Sequence, residues 1–250
     1  MKRKAKSLIA YVLGWQVRRL YKRHDFKVIA VTGSIGKTSS KLAIASVLSQ
    51  AFSVRYQSGN YNDKVSVPLI FFGEEMPNIF NPLQWLIIFA RNELKIHKRY
   101  PYDIVIVEVG TDGPGQIEEF GKYIKAELAV LTAITPEHME YFDDLDAVAS
   151  EELQVSGFAK KLLVNSDLVA GQYLQAHEKN TITYGLKTKA DIKLEDVAFL
   201  GDEASFVIAR NGKKVIEAKH QRITEPQLYS VCAAAAVALE LGMEPAQISP

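Results

Sequence analysis

Cysteine is almost missing from this chain: its 250 residues include one, Cys232. A lone thiol excludes an intramolecular disulfide and a four-cysteine zinc site. Cys232 falls in an alanine-rich helical run and reads as inert core. Long apolar runs are missing too. The N-terminal one, Leu8 to Trp15, is eight residues long, whereas a membrane-crossing helix needs about 20. No small-x-small cleavage site follows it, which argues against a signal peptide. There are no repeats and no low-complexity linker. Acid is absent from the first 24 residues, which carry Lys2, Arg3, Lys4, Lys6, Arg18, Arg19, Lys22 and Arg23. The remainder therefore holds 22 basic residues against 29 acidic ones. That balance argues against a nucleic-acid-binding body. A cytoplasmic protein is the default expectation.

The basic N-terminus, residues 1–25, reads as an amphipathic helix with two open readings. It can lie on an anionic membrane surface at the inner face. Alternatively, Leu13, Val17 and Leu20 pack on the body and the arginines are solvated. A second apolar run, Leu83 to Ala90, has the same two readings, and Arg91, Glu93, Lys95 and Lys98 follow it. It reads as a half-buried helix of the body.

What the chain has in abundance is alternation. Val28 to Val31 form an apolar, β-branched run that reads as a buried strand. Gly33-Ser34-Ile35-Gly36-Lys37-Thr38-Ser39 follows at once, and then a helical pattern with Leu42, Ile44, Ala45, Val47 and Leu48. Strand, glycine loop and helix in that order make a phosphate cradle, because glycines let backbone N–H groups approach an anion and the helix start adds a positive dipole end. Lys37 can reach outer phosphates and the Thr38 hydroxyl can bind Mg²⁺. The general pattern places its first glycine where this chain has Val31. The alternative is an ordinary strand-to-helix turn with a surface lysine.

Further strands are expected at 103–109, 128–132 and 162–164, with helices around 114–125 and 144–159. This alternation predicts an α/β fold, a mostly parallel sheet of P-loop type with helices on both faces. Residues 181–219 read instead as a small antiparallel β subdomain, with Asn211-Gly212 as a two-residue hairpin turn. A last helix runs from about Gln227 to Leu241, with Gly242 as its cap.

Three polar residues fall at or beyond strand ends, where parallel sheets place their chemistry. Glu108 closes the second strand and can hold Mg²⁺ or cap a loop. His138 follows the third strand and can be a ligand or a structural histidine. Glu152 lies on the next helix and can be solvated surface.

Four segments in order, TGSIGKTSSK, Gly59-Asn60-Tyr61-Asn62 before Val67-Pro68-Leu69, EVGTDGPGQI and TPEHMEYF, resemble the central ATPase domain of the Mur ligases. The resemblance covers roughly residues 27–243 and is nearest to the branch that adds D-alanyl-D-alanine to a UDP-muramoyl-tripeptide. It implies an ATP- and Mg²⁺-dependent amide ligase of cell-wall precursor synthesis. A UDP-muramoyl-peptide carboxylate would be activated as an acyl phosphate and attacked by an amino acid or dipeptide. Gly33 to Ser39 would hold the ATP phosphates, and Thr38, Glu108 and His138 the metal. Lys37, Glu108, His138 and Glu152 would serve catalysis, with Asn60 and Asn62 on the substrate side.

Some positions depart from the family's pattern. Its carbamylated lysine falls at Glu152, whose carboxylate resembles a carbamate, and its asparagine after the third strand is Ala133. Near adenine stand Pro226, Gln227 and Ser230, of which Gln227 can hydrogen-bond a base. Residues 26–243 would be this central domain and 244–250 a tail where a further domain would begin, so that outer domains or a partner chain would be needed for ligation. Two other classes remain. One is a nucleotide-binding module without ligase activity, membrane-apposed through residues 1–24. The other is a P-loop kinase, which fits the loop but leaves the asparagine and histidine motifs unexplained.

Overall fold

The structure, a computed structural model, describes residues 2–59, 61–201, 203–221 and 223–248. The chain opens with α1 (Lys2–Arg23), then β1 (Lys27–Thr32), α2 (Lys37–Leu48), β2 (Val54–Arg55), α3 (Ser66–Phe72) and α4 (Pro82–His97). It continues through β3 (Ile104–Glu108), α5 (Gln116–Gly121), β4 (Ala126–Leu131), α6 (Leu145–Leu153) and β5 (Ala159–Asn165). The last elements are β6 (Thr181–Gly185), β7 (Ile192–Leu200), β8 (Glu203–Arg210), β9 (Lys213–Gln221), α7 (Glu225–Glu240) and the short α8 (Pro245–Ile248).

Among the described residues the strands form one nine-stranded sheet in the order β2-β3-β1-β4-β5-β6-β7-β8-β9. β1 lies between two parallel neighbours, with Val31 beside Glu108 on β3 and Thr32 beside Leu131 on β4. Parallel pairing brings the carboxyl ends of these strands to one edge, where the connecting loops gather. The near-continuous apolar character of β1, β3 and β4 follows from burial on both faces.

Alternation of side chains along each strand splits the core in two. Val28, Ala30, Val105 and Val107 face a cluster that includes Val17 and Leu20 of α1, Ile70 of α3, Phe120 of α5 and Val148 of α6. Ile29, Val31, Ile104 and Ile106 face the other cluster, built on Ile44 of α2 and the alanines of α7. A mostly parallel sheet with helices on both faces is therefore what the chain forms. The antiparallel strands expected within 181–219 are present, but they are not set apart. β6 pairs parallel with β5 and β7 parallel with β6, and the antiparallel pairs β7–β8 and β8–β9 extend the same sheet. Asn211 (φ 50°) and Gly212 (φ 72°) form the β8–β9 turn, as their sequence requires.

α1 packs on the body through Leu13, Val17 and Leu20, all fully buried. α4 lies against it, Trp85 and Ile88 joining Ile9 and Leu13 in a third apolar cluster.

Candidate phosphate-binding loop and cleft

β1 delivers the chain into Gly33 at φ 121°, and Gly36 at φ 82° turns it into α2. Both angles favour glycine. At Gly33 there is also no space: a Cβ would lie 2.4 Å from the Thr132 hydroxyl and 2.8 Å from the Ala133 nitrogen. The loop is pinned to the β4 end. Ser34 N–H donates to the Ala133 carbonyl at 2.9 Å, and the Thr132 hydroxyl donates to the Ile35 carbonyl at 2.6 Å. Ser34 Oγ donates to the Thr135 carbonyl and accepts from its N–H, each at 3.0 Å.

Lys37 begins α2. Its ammonium donates to the Gly33 and Ser34 carbonyls and lies 3.6 Å from Glu137. One residue on, the exposed Thr38 donates its hydroxyl to Glu108 Oε2 at 3.0 Å. Glu108 is the last residue of β3 and continues the face that looks toward α2. Lys41, four residues after Lys37 and so on the same helix face, donates to the same Glu108 oxygen at 3.0 Å. It also reaches the Gly59 carbonyl at 3.2 Å. The Lys41 and Glu108 side chains are 0% and 3% exposed, a charge pair enclosed beneath the loop. Sequence reasoning passed over Lys41, although its spacing from Lys37 and Thr38 was there to be used.

Glu152 stands on the other side of the loop. Thr32 continues the opposite face of β1 and donates its hydroxyl to Glu152, and Gly33 N–H donates to the same carboxylate at 2.9 Å. The side chain is buried. Burial pushes its pKa above the ordinary 4.5, against the pull of the Thr32 hydroxyl, the Lys37 charge and the Gly33 N–H. The solvated-surface alternative for Glu152 is thereby excluded: the residue is buried and anchors the loop.

His138 has φ 54°, an uncommon angle for a side-chain-bearing residue. Its Nε2 lies 3.6 Å from Glu137 and 3.8 Å from Asp112. Glu108, His138 and Glu152 do not form one ligand set; among the described residues no three His, Cys, Asp or Glu side chains stand together as an ion would need. Glu108 continues the α2 side of the sheet, whereas Thr32, which binds Glu152, continues the opposite side. Asn62 packs against Gly110 just past β3, where an added Cβ would meet its Nδ2 at 3.0 Å. Asn60 lies outside the described residues.

Beside the loop lies a cavity of about 530 Å³. Ile35, Ser39 and Thr132 line it together with Asn165, Tyr184 and Gln227. Gln227 is half committed already. Its carbonyl oxygen accepts from Thr224 N–H and Oγ in a capping box at the start of α7. Asn165 and Tyr184 were not singled out from sequence, because only the pairing of β5 with β6 brings them together.

Residues 31–238 match the family model described as the Mur ligase middle domain. The chain is 27% identical over 183 residues to the UDP-N-acetylmuramoyl-tripeptide–D-alanyl-D-alanine ligase of Bacillus subtilis, covering 73% of this chain and 35% of that enzyme. It thus spans about a third of that relative's length. Among solved structures it resembles MurF from Acinetobacter baumannii at 20% identity and a TM-score of 0.74, covering 94% of this chain and 48% of that one. MurF from Thermotoga maritima in complex with ADP gives 19% identity and a TM-score of 0.72, over 96% of this chain and 51% of that one. These two likenesses establish the fold.

Proposed function

The chain belongs to the Mur ligase middle-domain family, and from that premise we propose that it binds Mg·ATP and forms the ATPase core of an amide ligase in cell-wall precursor synthesis. The reaction proposed joins an amino acid or a dipeptide such as D-alanyl-D-alanine to the carboxylate of a UDP-muramoyl-peptide in the cytoplasm. The name of the Bacillus subtilis relative supports this choice of substrates.

The observation that carries the reading is the loop itself. Gly33 has no room for a side chain, Lys37 and Thr38 start α2, and the Thr38 hydroxyl sits 3.0 Å from the Glu108 carboxylate. The Gly33 and Ser34 N–H groups are taken by Glu152 and Ala133, so the N–H groups from Ile35 to Ser39 and the start of α2 are the ones that suit a polyphosphate. Thr38 and Glu108 offer a hydroxyl and a carboxylate, the oxygen donors that Mg²⁺ prefers. When bound, Mg·ATP supplies the phosphoryl group that activates a carboxylate toward an amine.

The chain's own groups do the positioning. Lys37 exchanges the Gly33 and Ser34 carbonyls for phosphate oxygens. Lys41 keeps Glu108 from repelling the incoming anion. Glu152 fixes the backbone at Gly33. The cavity lined by Asn165, Tyr184 and Gln227 would take the nucleoside, and Asn62, His138 and Glu137 would face the carboxylate substrate.

Calorimetry with Mg·ATP tests the reading. Lys37→Ala removes a partly desolvated phosphate contact worth about 2–3 kcal/mol, so affinity should fall tens of times to about a hundredfold. Equal affinity in both proteins would overturn the loop assignment. Phosphate release with UDP-muramoyl-tripeptide and D-alanyl-D-alanine then tests the substrates.

A further inference from the structure

A surface helix normally turns a polar face to water. α4 does not. Its inner side is buried through Trp85, Ile88 and Ile96, yet its outer side carries Leu83, Leu86, Ile87, Ala90 and Leu94 at helical spacing. Leu83, Leu86 and Leu94 are 66%, 65% and 61% exposed. That stripe runs for about 16 Å at 1.5 Å per residue.

α1 repeats the pattern with aromatic and basic groups. Leu8, Tyr11, Trp15, Arg18 and Lys22 follow one another at spacings of three and four, which places them on a single face. Leu8 and Tyr11 are 65% and 67% exposed. The Arg19 guanidinium lies 4.5 Å above the Trp15 ring. The opposite side of α1 is the one buried through Leu13, Val17 and Leu20.

The two helices lie side by side. Gln16 donates to the Phe89 carbonyl and accepts from Asn92, both at 2.9 Å, and Arg19 pairs with Glu93. Glu93 is the one acid in either helix, so this pairing consumes it. Lys22, Arg23 and Lys98, at the ends of the two helices, are exposed, as is Arg91, which pairs with Glu74 at 3.5 Å.

We propose that the outer faces of α1 and α4 together dock on an anionic lipid bilayer, with both helices lying in the plane of the interface. Apolar groups would enter the headgroup boundary while the surrounding cations meet lipid phosphates. Tyr and Trp suit that boundary, being apolar in body and polar at one end. Neither helix is long and apolar enough to cross a membrane. A second copy of the chain is the poorer occupant, because a two-fold contact places each patch against itself and opposes the two sets of cations. The surface lies on the α1–α4 side of the sheet, so the phosphate-binding loop at the strand ends stays open. The proposal is independent of the ligase reading.

Co-flotation of the full chain with vesicles tests it. Binding is expected to vesicles of phosphatidylcholine mixed with phosphatidylglycerol, not to phosphatidylcholine alone, and raised salt should release the protein. Leu86→Glu with Leu94→Glu should abolish it. Lys22→Ala should weaken partitioning about fivefold. Tryptophan emission should shift to the blue on binding, and Trp15→Phe should remove that shift. None of these residues touches the phosphate loop, so each variant should keep wild-type Mg·ATP affinity and melting temperature, which reports folding separately. Three results overturn the proposal: no partition into the anionic vesicles, equal binding by the Leu86→Glu, Leu94→Glu protein, or sedimentation revealing a dimer that those substitutions dissolve.

Discussion

At Glu152 a carboxylate is withdrawn from water and given two donors, the Thr32 hydroxyl and the Gly33 N–H. Burial is the larger influence and raises its pKa from 4.5. The folded chain therefore binds a proton more readily than the unfolded one. Below the unfolded value both states are protonated and the full contribution is present; it is lost as pH rises through the folded value. Glu152→Gln keeps an oxygen for the donors and removes the ionisation. Its stability relative to wild type should grow as pH rises above the ordinary carboxylate value of 4.5, read by urea unfolding at several pH values. A constant difference would mean that Glu152 does not titrate abnormally. The phosphate-loop glycines, Lys37, Thr38 and Glu108 were legible because their chemistry follows from neighbours in sequence and from a strand end. The partner of Glu152 was not, since Thr32 and Glu152 are 120 positions apart. Cys232 read correctly as core: it is fully buried, and burial pushes its thiol up to about 12.

Among elements, α5 illustrates a helix that cannot start itself. It has six residues and Gly115 at its N-terminal cap, with no side-chain cap of its own. Glu151 on α6 replaces the missing cap, accepting N–H bonds from Gly115, Gln116 and Ile117 at 2.7, 2.8 and 2.7 Å. Glu151→Ala leaves these donors short of a partner and should cost about 2–4 kcal/mol. Urea unfolding measures that loss, and an unchanged midpoint would mean that water replaces the carboxylate. Hydrophobic periodicity revealed α2, whose buried residues Lys41, Ile44, Ala45 and Leu48 repeat every third or fourth position; α7 was legible from its alanine-rich run and its glycine stop, since it is buried on nearly every side. It missed α3, whose seven residues are all buried and carry no polar face to mark a period. It also missed β2, a two-residue edge strand. The apolar run of α4 read as a half-buried helix, with its apolar character plain, but sequence did not say which of its apolar residues stay outside.

For the molecule as a whole, sheet order decides which parts are secure. β1, β3 and β4 are buried on both faces and paired on both sides. β9 is an outer strand bearing Lys213, Lys214 and Lys219, charges that blunt an open edge. Native-state amide exchange should therefore be slowest in β1, β3 and β4 and faster in β9. Equal protection throughout would mean that the hairpin and the parallel core open as one unit. Alternating strands and helices made the parallel sheet legible. The continuity of β6 to β9 with it was not, because a strand's pattern does not name its neighbour. One more consequence follows from Glu151 and Glu152. They are consecutive on α6 and, at a hundred degrees apart, grip two different loops, Glu151 the start of α5 and Glu152 the turn after β1. α6 is thus a rigid crossbar bolted to both. Neither loop can travel without dragging the rod or shearing buried bonds, so the rim of the cleft moves as a linked frame.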